Sequence, residues 1–203
     1  MNVEPQEDFK VLINYLEQFV KVPEAMAKLI LRETTVIELK KRKHLVSPLD
    51  LKPNLYFILT GLVRGFDRDD NIDTTSWIAV EGQIVGLMLC SATAANGRRQ
   101  YIETLEDSKA IMIPNALVNT LFTLFPEMGT IGLKLLWLHY NDAEERNYLT
   151  RLSSAEKRLR RMIHTHPQFY YRTPIKYLAS YLCMRMETLS RLRAQLLTEK
   201  VMV

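Results

Sequence analysis

The chain has 203 residues, 47% of them apolar and 25% charged, with a formal net charge of +4. These proportions exclude disordered and fibrous classes and leave enough material for one large or two small cored domains. The longest uncharged stretches, Gly82 to Gly97 and Ala110 to Pro126, are short for a bilayer span and interrupted by polar residues, so no membrane partner is expected.

The first residues, Met1 to Asp8, are acidic where a secretory signal is basic and then apolar, so the cytoplasm is the expected compartment. Phe9, Leu12, Ile13, Leu16 and Phe19 recur at helical spacing and predict a helix that stops before Pro23. A second helix is predicted from Glu24 to about Arg32. The pattern then turns to strands. Val36 to Leu39 is β-rich, Leu55 to Leu59 reads as a buried strand entering a turn at Thr60-Gly61, and Leu62 to Phe66 as its return. Asp67 to Asp73 reads as a polar loop, with further strands over Thr74 to Val80, Tyr101 to Leu105 and Ala110 to Pro114. Short strands at close intervals point to an antiparallel barrel or roll rather than βαβ units.

This half lacks the residues of an enzyme. Its strands offer only His44 where a metal-dependent roll needs clustered histidines and carboxylates, and no nucleophile elbow, phosphate loop or H-E-x-x-H occurs. Cys90 and Cys183 are too few and too far apart for a disulfide framework or zinc site. His164 and His166 close a basic helical segment before Pro167 and read as helix-end cations rather than ligands. No enzyme, metal or cofactor is expected.

The C-terminal part differs in charge and in glycine. Residues 1–150 hold 16 basic and 20 acidic side chains, whereas residues 151–203 hold 11 basic and three acidic, a balance of +8. All seven glycines lie at or before Gly132, which fits helices beyond it. The basic excess is either a solvated surface or the footprint of an anionic partner, nucleic acid first. Leu133, Trp137, Tyr140, Tyr148 and Leu152 form a stripe on a helix from about Gly129 to Leu152, with Leu136 and Ala143 beside it. Such a helix outreaches a small barrel. A second copy covers the stripe most simply, with packing along its own domain as the alternative.

Ser153-Ser154-Ala155-Glu156 reads as a capping box with Ser153 as cap, opening a helix to about His164 that carries Lys157, Arg158, Arg160 and Arg161. Those four either reach phosphates or solvate a helix face. Next, Thr173 is placed to cap a helix with Pro174 in its first position, and small Ala179 allows close approach of a second helix. A break over Cys183 to Arg185 and a second helix from about Met186 complete the layout of a helix-turn-helix, with an ordinary helical hairpin as the plainer reading. Arg185, Glu187, Ser190 and Arg191 would then face a DNA groove, with Thr188 and Arg193 as further candidates and Lys176 as a phosphate contact. Arg191 is also placed to pair with Glu187, four residues earlier.

Several blocks carry a family resemblance: Leu55-Tyr56-Phe57-Ile58 with Gly61-Leu62-Val63-Arg64, Leu105-Glu106-Asp107-Ser108, and Pro126-Glu127. Most specific are Pro174 to Leu182 and Glu187-Thr188-Leu189-Ser190-Arg191. Over nearly its whole length the chain resembles the Crp/Fnr transcriptional regulators, in particular a branch common in Bacteroidetes. The resemblance implies an α+β fold: an N-terminal β-roll, a cyclic-nucleotide-binding-like jelly roll with flanking helices, then a long dimerisation helix and a C-terminal helix-turn-helix domain. The corresponding boundaries are 1–128, 129–152 and 153–203. It implies a homodimer in which Glu187 and Arg191 contact bases, and Leu133, Trp137 and Tyr140 join the protomers. Double-stranded DNA is the implied partner, with a small-molecule effector and RNA polymerase as further ones.

The sequence departs from that pattern in three places. The effector pocket maps onto Gly86, Leu87, Arg98, Arg99 and Gln100. Leu87 stands where a ribose-binding carboxylate belongs, and Gln100 and Tyr101 where small phosphate-binding residues belong, so the cyclic-nucleotide pocket reads as degenerate. Cys183 occupies the turn position that commonly holds glycine. After the second helix there is room for a short strand at most. The expected function is an operator-reading regulator with an unassigned effector; the alternative is a sensor or interaction module with a β-roll that no longer binds specific DNA.

Overall fold

The computed structural model describes residues 5–47, 54–70, 72–86 and 100–201. Among these residues two helices, α1 (Pro5–Glu17) and α2 (Glu24–Glu33), precede eight strands: β1 (Thr35–Leu39), β2 (His44–Val46), β3 (Asn54–Thr60), β4 (Val63–Asp69), β5 (Ile72–Ala79), β6 (Ile84–Gly86), β7 (Gln100–Thr104) and β8 (Ser108–Pro114). Helices α3 (Asn115–Leu124), α4 (Glu127–Arg151), α5 (Ala155–Thr165), α6 (Pro167–Arg172), α7 (Ile175–Tyr181) and α8 (Met186–Val201) follow. No helix among the described residues is long and apolar enough to cross a membrane.

The strands form two four-stranded antiparallel sheets, ordered β1-β8-β3-β6 and β2-β7-β4-β5, packed as a roll. The burial of both faces of β3 explains why its centre, Leu55 to Leu59, is apolar without a break. Tyr56 and Ile58 face the second sheet beside Val63, Ile102 and Ala110, while Phe57 faces the helices beside Leu12, Met26 and Ile111. Gly65 is required by close approach, because a Cβ there would lie 2.0 Å from the Trp77 ring.

A further apolar cluster joins the roll to the C-terminal helices. Leu62, Ile78 and Leu105 from strand ends and turns pack with Leu149 of α4, Leu159 and Met162 of α5, Leu178 of α7 and Leu189 of α8. Fully burying a side chain of that size contributes about 1.5–3 kcal/mol. The helix-turn-helix is thereby fastened to the roll.

The expected roll, long helix and helical C-terminus are present, with local corrections. Asp67 to Asp73 is mostly strand, turned at Asp70 in the left-handed region (φ 43°) and closed by Arg68 Nε donating to Asp73 Oδ1 at 2.7 Å. Ser154, not Ser153, caps α5: its extended backbone (φ −133°, ψ 151°) lets Oγ accept from the Lys157 N–H. Glu156 then falls one position early for the reciprocal half of a capping box. At α7, Pro174 flanks the helix and its carbonyl accepts from Leu178, whereas Thr173 is buried and caps nothing. Leu152 leaves the exposed stripe of α4 and packs among the C-terminal helices.

Candidate nucleic-acid interface

Helices α7 and α8 meet through Leu178, Ala179, Leu182, Leu189 and Leu192, all buried, with Ala179 permitting the close crossing. The turn between them has a defined hydrogen-bond pattern. Cys183 N–H donates to the Ser180 carbonyl at 3.1 Å and Met184 N–H to the Ala179 carbonyl at 3.0 Å. This is a Schellman closure, and Cys183 holds its left-handed position with φ 51°. A side chain there costs on the order of 1–2 kcal/mol, which the surrounding apolar contacts offset. The sequence expectation for this turn is met.

The turn presents α8 as a polar row. Glu187, Ser190 and Arg191 are exposed at spacings of three and four, Arg185 is exposed just ahead of the helix, and Thr188 is half-buried. Among the described residues neither Glu187 nor Arg191 forms an ion pair, so the Arg191 guanidinium is available to an outside acceptor. The leading N–H groups of α8 add a partial positive charge at the same end. Lys176 is exposed on α7, its ammonium 5.9 Å from the Tyr177 ring centre.

Arg193 departs from the expected set. Its Nη2 donates to the Tyr170 carbonyl at 2.7 Å and the guanidinium stacks 4.7 Å from the Tyr170 ring centre, so it braces α8 on α6. The basic cluster of α5 is similarly engaged. Arg160 pairs with Glu156, Arg161 reaches Glu145 through two bonds of 2.7 Å, and Arg158 bonds three backbone carbonyls. His166 is no helix-end cation: burial lowers its pKa against the pull of Asp142 and Glu145, and it stacks on Phe169.

Residues not singled out in the sequence tie this unit to the roll. Arg172 bonds both oxygens of Glu81, at 2.7 and 2.9 Å, and also contacts Glu106. The paired Arg172 lowers the Glu81 carboxyl to about 2. Thr75 N–H on β5 donates to Ser180 Oγ at 2.9 Å. Tyr177 covers Arg64, whose charge is met by Glu103 and Asp73. An arginine among the apolar residues Leu62, Val63 and Phe66 was the available signal, but its acid partners lie on other strands.

Of the effector-pocket candidates, Leu87, Arg98 and Arg99 lie outside the described residues. Gly86 ends β6 opposite Leu55, with φ 139°, and Gln100 opens β7 opposite Asp67. The dimer candidates Leu133, Trp137 and Tyr140 stand on the outer face of α4, each more than half exposed, with Leu136 beside them. No group of three or more metal-binding side chains occurs among the described residues.

No protein-family model and no curated protein sequence matches the chain. Solved structures do match its fold. A protein of the Crp/Fnr family from Eubacterium rectale superposes with a TM-score of 0.69 at 16% identity, covering 92% of this chain and 88% of its own. The chain has the fold of a Crp/Fnr regulator. FixK2 from Bradyrhizobium japonicum aligns with a TM-score of 0.68 at 16% identity, over 82% of this chain and 86% of its own. The c-di-GMP-responsive global regulator CLP of Xanthomonas campestris gives 0.63 at 18% identity, over 88% and 93%.

Proposed function

We propose that the chain is a DNA-binding transcriptional regulator of the Crp/Fnr type, a cytoplasmic homodimer that reads an inverted-repeat operator and acts on RNA polymerase. The observation that carries this reading is the row of Glu187, Ser190 and Arg191 along one exposed face of α8, behind a buried helix-turn-helix core. Arg191 suits guanine, Glu187 accepts from cytosine, and Ser190 bonds base or phosphate. Arg185 and Lys176 supply phosphate contacts and Thr188 packs at the groove edge. The exposed row Leu133, Leu136, Trp137 and Tyr140 on α4 is the face a second copy covers.

The test is a gel shift on the DNA upstream of the protein's own gene at two salt concentrations. Site-restricted binding that persists at the higher salt supports the reading. Weak binding that vanishes there supports an interaction module instead.

The effector differs from a cyclic nucleotide in this reading, since Leu87 cannot accept a hydrogen bond from a ribose hydroxyl. Calorimetric titration with cyclic AMP and cyclic GMP is expected to give no saturable heat; micromolar saturation by either contradicts it.

A further inference from the structure

Arg158 lies between the two elements whose relative placement decides how a pair of recognition helices meets DNA. It sits one turn into α5. Its Nη1 donates to the Leu152 carbonyl at 2.9 Å, where α4 ends. Its Nε donates to the Leu182 carbonyl at 2.9 Å and its Nη2 to the Cys183 carbonyl at 3.3 Å, in the turn that launches α8. The last carbonyls of a helix lack intrahelical partners and carry partial negative charge, so a cation is favoured there. A planar guanidinium holds several acceptors in fixed directions, whereas a lysine ammonium is a point charge on a flexible stem.

Helix α5 is also pinned along its length. Arg161, one turn further on, grips Glu145 of α4 through Nε and Nη2, both at 2.7 Å. Leu159 and Met162 are fully buried on the inner face, packed with Leu149 of α4 and with Leu182 and Leu189. The helix is therefore a strut from α4 to the turn. The contacts of Arg172, Tyr177 and Ser180 hold α6 and the body of α7 against the roll, while Arg158 holds the carbonyls of the turn itself.

We infer that Arg158 is a positioning residue that sets the half-site spacing the dimer accepts. The inference rests on the DNA-reading dimer proposed above. In a two-fold dimer the separation of the recognition helices follows from how each is held relative to the dimerising helix, and the operator spacing must match it. A clamp joining the end of α4 to the start of α8 narrows the accepted range. Without it α8 pivots, and operators with longer or shorter spacers bind nearly as well, while the base contacts of Glu187 and Arg191 are unchanged.

The experiment uses the full chain and a duplex that the wild type selects from a randomised library. That duplex is rebuilt with its spacer lengthened and shortened by one and two base pairs, and affinities are read by fluorescence anisotropy. The proteins are wild type, Arg158→Lys, Arg158→Ala and Arg160→Ala, the last altering an exposed neighbour on the same helix. Wild type and Arg160→Ala are expected to favour the selected spacing by about tenfold or more, and both Arg158 variants by less than about threefold. Base preference within a half-site should stay as in wild type.

Circular dichroism and a thermal melt accompany each variant. If Arg158→Ala does not fold, Arg158→Lys, which keeps the charge and much of the stem, carries the comparison. A uniform loss of affinity at every spacing, with the wild-type preference kept, makes Arg158 a structural residue only and overturns the inference. So does a wild type indifferent to spacing, or failure of both Arg158 variants to fold. If the wild type selects no duplex at all, the DNA-reading proposal falls, and this inference with it.

Discussion

Arg64 carries a full charge into a site where it is 2% exposed. Its Nε donates to Glu103 Oε2 at 2.9 Å, Nη1 to Thr75 Oγ1 at 3.2 Å and Nη2 to Asp73 Oδ2 at 3.3 Å. The rings of Phe66 and Tyr177 lie 4.0 and 3.7 Å from the guanidinium carbon. Removing one partner of a buried pair leaves the other charge uncompensated, so Arg64→Ala is expected to cost about 3–5 kcal/mol in urea unfolding. Arg68 pairs with the same Asp73 at an exposed edge, and Arg68→Ala is expected to cost less than about 1 kcal/mol. Equal costs for the two would contradict this account of the cluster.

At the scale of elements, the contact between α6 and two turns of the roll is electrostatic and depends on pH. The carboxyl of Glu81 falls from 4.5 to about 2, first through its hydrogen bond from Arg172. A lowered carboxylate contributes stability that is present above its unfolded pKa of about 4.5 and is lost as pH falls through its folded value. The urea midpoints of wild type and Glu81→Gln should therefore differ most at pH 5 and above and converge between about pH 4.5 and 2. A difference that is the same at pH 6 and pH 2.5 would count against a charged latch. The strands with alternation or apolar runs, β1, β3, the first half of β4, β5, β7 and β8, were legible in the sequence, as were α1, α2, α4, α5 and the helix-turn-helix. Two three-residue strands, His44–Val46 and Ile84–Gly86, were not, because a period of two needs more residues to show. Helix α3 was missed within an uncharged stretch whose residues Leu117, Val118 and Leu121 pack against the roll. At the candidate site the shared exposed face of Glu187 and Arg191 on α8 was legible through helical spacing. The roles of Arg158, Arg172 and Arg193 were not: their partners are backbone carbonyls, or carboxylates as far as 91 residues away.

At the scale of the whole molecule, α4 links everything. Its first turns bury Met128 and Ile131 against the roll and its last turn buries Leu149 among the C-terminal helices. Between them Leu133, Leu136, Trp137 and Tyr140 face outward, with Trp137 at 57% exposure. A row of large apolar side chains on 25 residues of helix is the mark of an interface. Sedimentation at micromolar concentration is expected to give a dimer, and Trp137→Glu with Tyr140→Glu a folded monomer; a folded wild-type monomer would contradict the pairing. In the proposed dimer, two-fold pairing would present two copies of α8 to half-sites whose centres lie roughly 34–36 Å apart, or one turn of DNA. The most direct measurement is selection from a randomised duplex library by wild type and Arg191→Ala side by side. An inverted repeat enriched by wild type, with Arg191→Ala losing about 1–3 kcal/mol of discrimination at one position of each half-site, is the predicted result. No enriched repeat from wild type, or identical preferences from both proteins, would contradict base reading by α8.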